Sequence, residues 1–141
     1  MATMENVTHK VDRETAEAEF DKFVEAFDLQ LDPKLMSEEV LQLTEESKER
    51  FIKAIQKGSL VVEDDGTPIF TPVRSRNKEP LKFHEPEGSA LKEMDKAKKD
   101  HNNAKMFNLM SNLTKVPPSR YAAMAKSDLN LCLAITMLLM D

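Results

Sequence analysis

The 141-residue chain has a single cysteine, a single tyrosine, three glycines and no tryptophan. A lone Cys132 has no partner for an internal disulfide, and it lies within an apolar run, where it reads as a small core residue. Nothing points to an oxidising compartment. No two glycines stand close together, which removes the phosphate-cradling loops. One cysteine and three scattered histidines (His9, His84 and His101) lack the spacing of zinc ligands, and none of the histidines has the motif neighbours of a nucleophilic site. The longest apolar run, Leu129 to Met140, is broken only by Asn130 and Thr136. As a helix it spans about 18 Å, against roughly 30 Å for a bilayer core. The first ten residues, M-A-T-M-E-N-V-T-H-K, contain no continuous apolar segment and do not read as a signal peptide. The expectation is a cytosolic, non-enzymatic protein without metal, cofactor or membrane span.

What is present favours helix. The chain is 40% hydrophobic and 32% charged, rich in Lys, Glu, Leu, Met and Ala, which suits a soluble globular protein. A net charge of −5 hides an asymmetry, about −9 for residues 1–72 and +4 for residues 73–141. The halves are of a kind to attract each other, or the basic half to face an acidic partner.

In chain order, residues 1–11 read as a frayed tail. Asp12 caps a helix from Arg13 to about Phe27, with Ala16, Phe20, Phe23, Val24 and Phe27 on one stripe. The acidic loop that follows resembles a calcium loop only superficially, because Pro33 stands where the turn needs glycine. Ser37 starts a short turn, and Thr44 caps a longer helix to Lys57 ended by Gly58. Leu60–Val62 and Ile69–Thr71 flank Asp64-Asp65-Gly66, a hairpin whose second strand Pro68 and Pro72 should hold at a sheet edge. Residues 73–80 read as a linker, and Leu81 to His84 as one short strand. Leu91 and Met94 open a helical region in which Met106, Phe107, Met110 and Leu113 share a face. Val116-Pro117-Pro118 stops it, a short helix carries Tyr121 and Met124, and Ser127 or Asp128 caps the terminal helix. The predicted fold is α+β and predominantly α-helical: an acidic lobe at 12–72 with the hairpin, the linker at 73–80, and a helical domain at 81–141 with one further strand.

The terminal helix is apolar nearly all round and must be enclosed, by its own domain or by a partner. Six of the nine methionines lie on predicted helices of the C-terminal half, and such side chains suit adaptable binding surfaces. The candidate contact residues are Phe107, Met110, Met137, Leu138 and Met140. A helix-turn-helix over 116–140 is the competing reading, a small DNA-binding regulatory protein. Its second helix, however, carries no cation between Asp128 and Met140, which tells against a nucleic-acid partner.

Residues 81–141 also carry a recognisable order of motifs: L-K-F-H-E-P-E-G-S-A-L-K-E-M-D, then L-T-K-V-P-P-S-R-Y-A-A-M, then S-D-L into the apolar terminus. This order resembles the tail assembly chaperones of long-tailed bacteriophages, whose common form reads I-x-L-x-x-P-x-x-x-x-L, then L-T-G-L-P, then D-L. Leu81, Phe83 and Pro86 match the strand and its exit, and Leu91 the first helix. Leu113, Thr114, Val116 and Pro117 match the Pro-terminated helix, and Asp128 and Leu129 the last element. Lys115 replaces the usual small residue and His84 a frequent Arg, and the first 72 residues lie outside the pattern. The resemblance implies a holdase for the tape measure protein that helps recruit tail tube protein subunits, acts in the host cytoplasm, and is absent from the finished virion. Self-association is compatible with it.

Overall fold

Asp12 opens the first helix as expected, its carboxylate accepting the Thr15 N–H at 2.7 Å. Helix α1 (Arg13–Ala26) buries Ala16, Phe20 and Phe23. Those two rings meet Phe51 of helix α2 (Glu38–Lys57), Phe20 edge-on at 5.3 Å between centroids and Phe23 stacked at 4.6 Å. A 3-10 turn at Pro33–Leu35, begun by Asp32, joins the two helices. The structure is a computed structural model that describes residues 11–88 and 103–140. Most of the expected tail, Leu91, Met94 and the helix turn they open fall outside those residues.

Helix α2 corrects one expectation. No break occurs at Thr44: Ser37 accepts the Val40 N–H and the helix runs 20 residues to Gly58, whose φ of 88° ends it in the left-handed conformation. A threonine inside a helix costs only a few tenths of a kcal/mol, and Thr44 is buried there. Packing overrides the local preference.

The hairpin forms as β1 (Leu60–Val62) and β2 (Pro68–Phe70), with Leu60 opposite Phe70 and Val62 opposite Pro68. Contrary to the edge-strand expectation, β2 is the central strand, because β3 (Leu81–Lys82) pairs on its other side. Pro68 is tolerated as the first residue of β2. Bonds from Glu63 to Thr67 and from Thr71 to Ser59 place the Val62–Pro68 pair at a non-hydrogen-bonded position. Its missing N–H therefore costs nothing towards β1, and its carbonyl still accepts the Phe83 N–H at 3.0 Å.

Helix α3 (Asn103–Thr114), the single turn α4 (Ser119–Ala122) and helix α5 (Lys126–Leu139) complete the described residues. After α3 the chain turns through Lys115 at φ 62°, a conformation that favours glycine. This is the position where the resembled family carries a small residue. Helix α5 begins at Lys126, and neither Ser127 nor Asp128 caps it; Ala125 occupies the cap position without a side-chain bond.

The expected lobes at 12–72 and 81–141 share one core. Phe20, Phe51, Leu60, Phe70, Leu81, Phe83, Leu113, Tyr121 and Ile135 belong to a single buried cluster. Residues 73–80 are no free linker either, since Ser75 is buried and residues 73–75 are tied to Asp128. The terminal helix fills this core: Leu131, Cys132, Ala134, Ile135, Thr136, Leu138 and Leu139 are all buried.

Candidate binding surfaces of the antiparallel helix pair

Helices α2 and α5 pack against each other in opposite directions, and each end of the pair presents a distinct surface. Val40 and Leu43, near the start of α2, line a small hollow with Thr44, Ser47, Met137, Leu138 and Met140. Arg50, Lys53 and Lys57, towards the end of α2, line a larger cleft with Ser127, Asp128 and Leu131 at the start of α5.

The five candidate contact residues divide between interior and rim. Met110 and Leu138 are fully buried: Met110 presents no surface in this fold, and Leu138 meets the outside only as part of the lining of the hollow. The Met110 carbonyl accepts from Thr114 Oγ1 at 2.8 Å and from the Tyr121 hydroxyl at 3.3 Å. Phe107 is half-buried and stacks on Tyr121 at 6.3 Å. Met137 and Met140 are half-buried at the hollow, and Met140 also packs with Met106 on the buried Leu109.

Sequence reasoning missed the exposed wall of the hollow. Val40 and Leu43 are 42% and 48% exposed, and Leu35, in the preceding turn, is 75% exposed. The signal was present in the spacing: Val40 heads the same face as Thr44, Ser47 and Phe51, one end of which lies beyond the buried core, and Leu43 stands at its edge. The hollow holds about 70 Å³, room for about one apolar side chain rather than for a small-molecule ligand.

The second surface is a cleft of about 330 Å³ with Ala54, Phe70 and Leu131 among its walls and Arg50, Lys53, Lys57 and Arg74 around it. Its geometry depends on Asp128. Oδ1 of Asp128 accepts the Val73 N–H at 3.0 Å, and Oδ2 accepts the Arg74 N–H, the Ser75 N–H and the Ser75 hydroxyl at 2.9, 2.8 and 2.7 Å. Ser75 Oγ in turn accepts the Ala125 N–H at 2.9 Å. Burial pushes the Asp128 carboxyl up, but the donors from Val73, Ser75 and Arg74 outweigh it and hold the group below the usual carboxylate range.

The interior thiol and phenol are kept neutral. Burial pushes the Cys132 thiol up to about 12, with the Asp128 charge adding to it, and the thiol donates to the Met124 thioether at 3.8 Å. Burial likewise raises the Tyr121 phenol, whose hydroxyl lies against that of Thr114. Neither group is disposed to act as a nucleophile. Among the described residues no group of three or more His, Cys, Asp or Glu side chains converges, and no helix is long and apolar enough to cross a membrane.

Comparison of the chain with protein-family models, curated proteins and solved structures found no match.

Proposed function

We propose that the chain is a non-enzymatic chaperone of phage tail assembly, which binds the tape measure protein and helps recruit tail tube protein in the host cytoplasm. The observation that carries the reading is the apolar hollow at one end of the helix pair, where exposed Val40 and Leu43 adjoin Met137 and Met140. A holdase must capture apolar stripes of a long helical client reversibly. A hollow that takes one client side chain, beside flexible methionines, serves such weak contacts in the helix-in-groove mode. The motif order of residues 81–141 is the second support. It includes Asp128, which ties residues 73–75 to α5, and the left-handed turn at Lys115.

The test is co-expression of the chain with the tape measure protein, followed by co-purification. The Val40→Glu, Leu43→Glu double variant should lose the complex while its circular dichroism stays that of the parent, since both side chains are exposed. Equal capture by the variant, or no capture by the parent, overturns the reading. A second reading, a small helical DNA-binding regulatory protein, draws support from the four cations around the larger cleft. Helix α5 does not serve it as a reading helix, because its apolar side chains are committed to the core.

A further inference from the structure

The geometry points to a binding site for a small organic phosphate in the cleft between the end of α2, the start of α5 and residues 73–74. Arg50, Lys53 and Lys57 stand at i, i+3 and i+7 on α2, and Arg74 comes from the segment pinned by Asp128. Among the described residues none of the four has a carboxylate within 4 Å, although the chain as a whole carries more acidic than basic side chains. Lys57 also answers the negative end of α2. That does not account for Arg50 or Arg74. The one carboxylate in the lining, Asp128, is turned towards residues 73–75, its Oδ1 accepting one donor and its Oδ2 three. Among the described residues it is the one carboxylate that shares the cleft with these four cations. The 14-residue α5 begins here, and Asp128 in its first turn already answers the positive end of its dipole.

The shape narrows the ligand. A volume of about 330 Å³ lies at the small end of ligand pockets and exceeds what a bare phosphate ion fills. Apolar atoms of Ala54, Phe70 and Leu131 leave room for an organic body. Two guanidiniums, one on α2 and one on residue 74, suit a tetrahedral phosphate that accepts from several directions, where a peptide carboxylate uses one fork. A single-stranded nucleic acid needs exposed aromatic platforms, and among the described residues the exposed large apolar side chains are Leu35, Val40, Leu43, Val61 and Val73.

The experiment is titration of the full chain with inorganic pyrophosphate and, separately, with adenosine diphosphate, read by calorimetry and by the thermal midpoint. Saturable binding with a dissociation constant below about 1 mM at low salt, at least tenfold weaker in the Arg50→Gln, Arg74→Gln variant and unchanged in Arg76→Gln, supports the site. Tighter binding of the diphosphate nucleotide than of pyrophosphate supports the organic body. No saturable binding, or equal binding by the double variant, overturns it. A ten-nucleotide single-stranded DNA or a hexaglutamate peptide that binds more tightly than either phosphate probe overturns the assignment to a small molecule. The proposal is independent of client binding at the opposite end of the helix pair, so neither result decides the other.

Discussion

Asp128 and Ser75, 53 residues apart in the chain, are joined twice: one carboxylate oxygen accepts both the backbone N–H of Ser75 at 2.8 Å and its hydroxyl at 2.7 Å. With the bonds from Val73 and Arg74, this junction fixes the segment after the sheet to the first turn of α5. Asp128→Asn keeps the size but removes the charge and sets an amide N–H₂ against backbone donors. It should cost about 2–3 kcal/mol, by the range for hydrogen bonds to charged groups, measured by urea unfolding at neutral pH. The folded carboxyl lies below its ordinary value of 3.8, so its contribution is full above that value and is lost as pH falls through the lower folded value. The acid limb of the stability profile should therefore flatten in the Asn variant; an unchanged limb would show that the junction contributes no charge-dependent stability.

Cys132 gives the opposite dependence. In the folded protein its thiol titrates near 12, against 9.0 in the unconstrained group. Above pH 9 the unfolded chain loses a proton that the folded chain retains, so stability should fall as pH rises from about 9 towards 12. The native thiol should also react with a disulfide reagent only as fast as the protein opens. Rapid stoichiometric labelling at pH 8 without denaturant would contradict the buried position.

Lys115 holds a positive φ that a glycine adopts without steric cost. Lys115→Gly should raise stability by roughly 0.5–1 kcal/mol, the left-handed strain relieved less the greater entropy of an unfolded glycine. Its exposed ion pair with Glu87 at 3.4 Å is too solvated to reverse the sign. A higher thermal midpoint checks this, and a lower one counts against strain at that turn.

Gly66 closes the hairpin at φ 90°, and a Cβ there would overlap the Ala26 side chain and sit 3.0 Å from the Lys22 carbonyl oxygen. The hairpin tip is thus pressed against the end of α1. Gly66→Ala should destabilise by roughly 2–4 kcal/mol, combining the positive φ with overpacking, and chemical denaturation measures it. A loss below 0.5 kcal/mol, roughly the size of an ordinary surface change, would mean that tip and helix are not in contact.

The division between what the chain alone decides and what packing decides follows the range of the forces. The Asp12 cap, the Phe20–Phe23 stripe, the Gly58 helix end and the Asp64-Asp65-Gly66 turn act within a few residues, so spacing and residue type specify them. The helical character, the hairpin and the apolar nature of the terminal helix were legible in this way. Where that helix goes was not. Its apolar side chains were equally compatible with a partner's surface and with an interior, and only the docking of α5 along α2 buries Leu138 and leaves Met137 at a rim. The union of Ser75 with Asp128, the central place of β2 and the gathering of Arg50 with Arg74 likewise depend on contacts between residues far apart in sequence. Hydrophobic burial is non-directional: composition determines that these side chains leave water, and the tertiary arrangement decides against what.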